Sequence, residues 1–328
     1  MVNVAVLDDY QDVALQMTDW SVLPDNVDVN VYQDHLTSED ALVQRLNGAH
    51  IISAMRERTP FSRGLLQRLP NLRLLITTGP RNASIDVTAA TELGIVVSGT
   101  GGLGTPTAEL TWGLILALLR NITREDARTR IGRWETTVGV GLSGKTLGVL
   151  GLGNLGGQVA TVGRAFGMSV VSWSQNLTEE VAYRSGAKLV TKTQLFLTSD
   201  IVTIHLRLSD RTRRLVGLSE LELMKPDAYL INTSRGPIVD ENALIYCLQN
   251  GRIAGAGLDV FDQEPLPMSH PLLKMENTVL TPHLGYVTVE TYQIFFRDVV
   301  ENITNFLSGS PVRVINPEVL ERARGAPR

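Results

Sequence analysis

The stretch TLGVLGLGNLGGQVA, residues 146–160, places an apolar run, Leu147 to Leu150, directly before Gly151, Gly153 and Gly156, and continues from Gln158 as a helical pattern. Three glycines at this spacing mean little in a chain that has 29 of them. Between a strand and a helix, however, they form the turn that brings a phosphate to the free amides of a helix N-terminus. In that reading Gly151 makes the tight turn, Gly153 lets a pyrophosphate approach the backbone beside Asn154 and Leu155, and Gly156 lets helix and strand pack closely. The same sequence could also be an ordinary glycine-rich turn, and its surroundings decide between the two.

Working outward, the runs TLGVLGLG, SVVSWSQ, DIVTIHL, AYLINTS, GAGLDVF and TVLTPH recur between helical or turn-rich segments from Thr146 onward. An earlier series, VNVAVL, VDVNVY, AHIISAM, LRLLITT and GIVVS, alternates with helical patterns such as SEDALVQRL and SRGLLQRL. Each series predicts βα units and a parallel sheet, so the class is α/β with two Rossmann-like domains. A length of 328 residues also exceeds what one hydrophobic core usually serves. Between the series, TPTAELTWGLILALLRNI predicts a long buried helix from about Pro106. After TPHLG, an amphipathic helix ending before Gly309 leads the chain back to the first domain, because PVRVINPEV is too short to stand alone. The expected division is residues 1–100 with 286–328 as a substrate domain, and 101–285 as an inserted dinucleotide-binding domain.

A net charge of −4, without a basic block, argues against nucleic acid as a partner. The most apolar run, LTWGLILALL at 110–119, is too short to cross a membrane. The single cysteine, Cys247, forms no intrachain disulfide, and the opening MVNVAVLDDY reads as a strand, which together predict a cytoplasmic protein. The sequons at Asn121, Asn176 and Asn302 carry no weight without a secretory signal. No histidine stands at metal-ligand spacing with another ligand, so no metal is expected. His35, His50 and His270 read as surface or packing residues.

Three polar residues stand just beyond successive predicted strands of the second series: Arg235 in INTSRGP, Glu264 in DVFDQEP and His283 in TPHLG. Ligands of open parallel sheets bind beyond those strand ends. Singly, each could be structural: a surface arginine, a loop acid before Pro265, a buried histidine after Pro282. With the glycine loop, NTSRGPIVDENAL, GAGLDVFDQEPLP and TPHLGYVT in this order, the chain resembles the D-isomer-specific 2-hydroxyacid dehydrogenase family. The resemblance covers nearly the whole chain and is strongest over 144–290. It implies a cofactor domain inserted into a flavodoxin-like catalytic domain, a cleft between them, and a homodimer. It further implies that His283 and Glu264 form an acid–base dyad and that Arg235 binds and polarises the substrate. His205 and Asp259 match positions near the cofactor, Asp259 as partner of the nicotinamide carboxamide, although it could equally be a strand-end acid capping backbone; Thr233 joins them as a cofactor-binding candidate.

The chemistry explains those residue types. Reducing a 2-oxo acid moves a hydride to the carbonyl carbon and a proton to its oxygen, which calls for an acid that titrates near neutrality, and histidine does. A carboxylate beside it favours the imidazolium and orients the ring. Arginine offers a fixed fork of donors for a carboxylate and a developing alkoxide. The expected activity is NAD(P)-dependent reduction of a small 2-oxo acid, of the glyoxylate or hydroxypyruvate kind, to the D-2-hydroxy acid. The alternatives are a non-catalytic dinucleotide-sensing module and a phosphite-type dehydrogenase of the same superfamily.

Two departures from the family pattern matter. Its first-domain loop usually reads G-x-G-x-x-N-I-D, with amides that grip the substrate carboxylate; here Gly79-Pro-Arg-Asn-Ala-Ser-Ile-Asp86 has Pro80, which lacks an N–H, and Arg81 in place of a glycine. Gly79 and Arg81 are therefore the substrate-loop candidates, and the resemblance places Arg56 and Arg58, in AMRERT, on an adjacent loop that could also face the cleft. The acid expected about 20 residues past the glycines to bind the adenosine ribose is also missing. Ser174, Gln175 and Asn176 stand there instead, and Arg207 follows the next strand, a set that favours NADP(H) over NAD(H).

Overall fold

The β-branched and aliphatic runs of the first series become five short strands: β1 Val2–Val6, β2 Val27–Val31, β3 Ile51–Ala54, β4 Leu74–Thr77 and β5 Val96–Ser98. They pair in parallel in the order β2-β1-β3-β4-β5. β3 and β4 are buried along their whole length, as strands of a parallel sheet covered on both faces must be. The order reverses direction between β1 and β3, the arrangement of flavodoxin-like sheets. A computed structural model describes residues 1–325, and clustering of contacts puts Met1–Leu103 together with the chain from Val287 onward in one unit and Gly104–Tyr286 in another.

The C-terminal chain is tied into the first unit by side-chain bonds. Asn316 Oδ1 accepts from the Val97 amide at 2.8 Å, and its Nδ2 donates to Thr91 Oγ1 and to the Ile95 carbonyl. The helix Val289–Leu307 buries Tyr292, Phe295, Phe296, Val299 and Ile303 in the same unit.

The second unit holds a seven-stranded parallel sheet of β6 Thr146–Leu150, β7 Ser169–Trp173, β8 Lys188–Leu189, β9 Ile201–Ile204, β10 Tyr229–Asn232, β11 Gly255–Leu258 and β12 Thr278–Leu280. Its order is β12-β11-β10-β9-β6-β7-β8, with two apolar layers centred on Leu230, Leu258 and Phe196 and on Leu147, Ile201 and Trp112. β8 was not foreseen. It pairs through two residues only, beside Val171 and Ser172, too few to leave a period in the sequence. The helix Pro106–Leu119 opens the unit with Pro106 in its first turn, where a missing N–H costs nothing.

Candidate active site

At the reversal of the second sheet, β6 has β7 on one side and β9 on the other. The glycine loop leaves β6 there. Gly151 has φ +102°, and a Cβ on it would lie 2.6 Å from the His205 carbonyl oxygen. A Cβ on Gly156 would lie 2.0 Å from the Gly151 carbonyl oxygen, so strand and helix touch backbone to backbone. Gly153 is different: it is exposed, and a Cβ there meets nothing within 4 Å. The helix Asn154–Ala165 makes its first bond from the Gly157 amide to the Gly153 carbonyl, which leaves the amides of Asn154, Leu155 and Gly156 without intrahelical acceptors.

The neighbouring strand ends carry further candidates. Ser174, half-buried, follows β7 and opens a turn closed by the Leu177 amide on its carbonyl at 3.1 Å, and Gln175 and Asn176 stand exposed within it. His205 follows β9. Its Nε2 lies 2.9 Å from Thr203 Oγ1, and its Nδ1 is buried without a partner among the described residues. Arg207 is exposed just beyond. Thr233, buried after β10, shares a 2.8 Å hydrogen bond with Thr111. The open face at Gly153, the outward amides and the orphaned His205 nitrogen fit a dinucleotide at this edge.

Burial holds the His205 ring down to about 4, against an ordinary 6.5. The folded state therefore refuses a proton that the unfolded chain accepts, so stability falls as pH drops from 6.5 through 4, by about 3 kcal/mol in all. His205→Gln should flatten this part of the pH–stability curve, measured by chemical unfolding. An unchanged slope would place the acid lability elsewhere.

The trio Arg235, Glu264 and His283 follows β10, β11 and β12, three consecutive strands of the sheet. Gly236, next to Arg235, packs so tightly on the following loop that a Cβ would lie 2.0 Å from the Phe261 carbonyl carbon. Arg235 Nη1 donates to the Ser234 carbonyl at 2.7 Å, and its own carbonyl accepts from Asn232 Nδ2. Glu264 Oε1 accepts from the Phe261 amide at 2.9 Å. Its Oε2 lies 2.6 Å from His283 Nδ1, the short contact of a charge-assisted pair. The edge of the Tyr286 ring faces the imidazole at 5.7 Å between centroids.

His283 sits at φ +57°, a region that residues with a β-carbon seldom occupy. Asp259 holds it there. The Asp259 carbonyl accepts from the His283 amide at 2.8 Å, while its buried carboxylate accepts from Thr281 Oγ1 and from the amides of Leu284 and Gly285. Burial raises the Asp259 carboxyl above the ordinary range, which these donors and the neighbouring His283 only partly offset. Asp259 thus organises the histidine loop by capping backbone amides from a strand end.

The loop 79–86 belongs to the first unit. Gly79, at φ +90°, donates its amide to Thr100 Oγ1 at 2.6 Å. The guanidinium of Arg56 covers it so closely that a Cβ would lie 1.7 Å from Nη1. Asn82 ties the loop to the Arg56 carbonyl and Thr77 Oγ1, and Arg81 is exposed. Pro80 has no N–H, and the Gly79 amide is already engaged by Thr100.

Two residues escaped the sequence reading. His270 does not merely pack: its Nε2 lies 3.0 Å from Glu241 Oε1. Only the path of the intervening loop brings them together. Among the described residues no group of acids, histidines or cysteine is placed to hold a metal, and no helix is long and apolar enough to cross a membrane.

A sequence profile described as the NAD binding domain of D-isomer specific 2-hydroxyacid dehydrogenases matches residues 112–285. A glyoxylate reductase of Aeropyrum pernix is 43% identical over 268 residues, 78% of this chain and 80% of that one. The crystal structure of a phosphoglycerate oxidoreductase from Vibrio cholerae superposes with a TM-score of 0.89 at 36% identity, covering 94% of this chain and 100% of that one. That of a D-lactate dehydrogenase from Aquifex aeolicus, complexed with NAD and lactic acid, gives 0.76 at 25% identity over 98% of each chain. With the matched segment spanning the glycine loop and all three polar strand ends, the chain belongs to the D-isomer specific 2-hydroxyacid dehydrogenase family.

Proposed function

We propose that this protein reduces a small 2-oxo acid, of the glyoxylate or hydroxypyruvate kind, to the D-2-hydroxy acid with a nicotinamide dinucleotide. The observation that carries the reading is the 2.6 Å contact between His283 Nδ1 and Glu264 Oε2, one strand away from Arg235. The coenzyme, bound at the glycine loop, supplies the hydride. Because Glu264 engages Nδ1, the other ring nitrogen of His283 is the one that gives its proton to the carbonyl oxygen. Glu264 favours the imidazolium before transfer and keeps the neutral ring oriented after it; in oxidation His283 acts as the base. Arg235 holds the substrate carboxylate and steadies charge on the oxygen. Residues 1–100 with 286–328 then form the substrate domain and 101–285 the dinucleotide domain. The family resemblance points to a homodimer. Following coenzyme oxidation against a panel of 2-oxo acids tests the activity. Coenzyme binding without turnover of any of them would leave a sensing module or, if phosphite is oxidised, a phosphite-type dehydrogenase instead.

The preferred coenzyme in this reading is NADP(H). An acid at position 174 would accept both ribose hydroxyls of NAD and repel the 2′-phosphate of NADP; Ser174 does neither. Exposed Gln175, Asn176 and Arg207 supply donors for a phosphate. The ratio of kcat/KM with NADPH to that with NADH should favour NADPH, and Ser174→Asp should shift it toward NADH. A wild-type preference for NADH, or no shift in the variant, would show that position 174 does not read the ribose.

A further inference from the structure

The loop that carries Glu264 leaves β11 at Leu258 and reaches β12 at Thr278. Residues 262–265 are exposed, and up to Pro271 the segment has no regular structure of its own. Phe261 packs on Gly236 at the start of the segment and Leu266 and Leu272 pack on the core. Between Asp262 and His270, apart from the Glu264–His283 contact itself, the described polar ties to the rest of the unit fall on one residue. Glu241, in the first turn of the helix Glu241–Gln249, accepts from the Asp262 amide through Oε2 at 3.3 Å and meets His270 Nε2 through Oε1 at 3.0 Å. These two contacts flank Glu264 on either side.

His270 suits that task through its other nitrogen. Nδ1 lies 3.4 Å from the Leu272 amide, which donates to it, so Nδ1 carries no proton and Nε2–H is the donor to Glu241. The ring thus links the end of the loop to the helix. Other charges near this point are Asp240, Asp262, Arg213 and Arg214; burial and the adjacent Glu241 charge raise the Asp262 carboxyl. Asp240 is occupied as the helix cap, accepting from the Ala243 amide.

We propose that Glu241 is a positioning residue for the acid–base pair: its two carboxylate oxygens tie both flanks of the exposed loop to the 241–249 helix and so hold Glu264 Oε2 against His283. The proposal rests on the acid–base reading given above. A carboxylate is needed because glutamine has one acceptor oxygen, and its NH₂ can accept from neither the Asp262 amide nor His270 Nε2–H. One tie must therefore be lost in Glu241→Gln, and a misplacement of the order of 1 Å at a catalytic group can cost up to roughly 100-fold in rate.

The test is a mutant cycle on the full-length enzyme, with glyoxylate and NADPH as substrates. Glu241→Gln should lower kcat roughly 10-fold or more, leave the KM for NADPH unchanged, and move the alkaline limb of the reduction profile to lower pH, as a loosened Glu264 favours the imidazolium less. In the Glu264→Gln background the same substitution should cost little further rate and move the limb no further, because its route of action is already gone. His270→Gln, which keeps an N–H for Glu241, should give a weaker form of the same change and serves if Glu241→Gln folds poorly. Additive losses in the double variant, or a wild-type pH profile in both single variants, would overturn the positioning role while leaving the dyad intact. If instead His283→Gln keeps wild-type turnover, the acid–base reading fails first and takes this proposal with it.

Discussion

Replacing His283 by glutamine should lower turnover by roughly 100-fold or more, since a positioned general acid contributes about 10²- to 10⁴-fold. Coenzyme affinity should barely change, because the glycine loop and its helix lie at β6, on the far side of β9 and β10 from β12. Glutamine keeps a polar group opposite Glu264 but cannot deliver a proton near neutral pH. The loss should therefore appear in kcat and kcat/KM together, the pattern of an interaction made only in the transition state. Coenzyme titration by fluorescence and steady-state rates separate the two effects. Turnover near the wild-type value would remove His283 from the mechanism.

The second large effect is expected at Arg235. Lysine keeps the charge but replaces a planar fork by a single flexible ammonium, and it has no second nitrogen with which to remain on the Ser234 carbonyl, where Nη1 now donates at 2.7 Å, while also gripping a carboxylate. Arg235→Lys should cost roughly 100-fold in kcat/KM for the 2-oxo acid, consistent with the loss of a bidentate charged contact of about 2 to 3 kcal/mol, at unchanged coenzyme affinity. If the lysine variant behaved as the wild type, Arg235 would be a structural residue of the 232–236 turn.

The glycine loop was legible because each glycine answers a local need: a positive φ at 151, an approach to backbone at 156, open space at 153. Residues within a short loop settle all three. The trio was legible for a related reason. Arg235, Glu264 and His283 each stand a few residues past the end of a strand, and parallel pairing carries such positions to one edge of the sheet. What sequence alone did not disclose depends on loop paths. Glu241 and His270 are 29 positions apart, with no periodic pattern to join them. The two-residue β8 has no period at all. For Asp259 the sequence left two readings open, and the described contacts of its carboxylate run to Thr281, Leu284 and Gly285, because the chain after β12 turns back over it. Arg56 drew attention as an arginine in a loop, but its place over Gly79 follows from the left-handed backbone at both residues, φ +51° and +90°.

The left-handed backbone of His283 has an evolutionary reading. A β-carbon in that conformation costs of the order of 1 kcal/mol that glycine would not incur, and the hydrogen bonds from the 281–285 loop to Asp259 would form equally well without the ring. Natural selection for a folded chain alone would thus erode this position toward glycine, whereas selection for turnover opposes it. If His283 is the acid of the proposed reaction, its ring is held at a site where thermodynamic drift and catalytic need pull in opposite directions, so a descendant released from that chemistry would be expected to give up the imidazole early and become more robust by doing so.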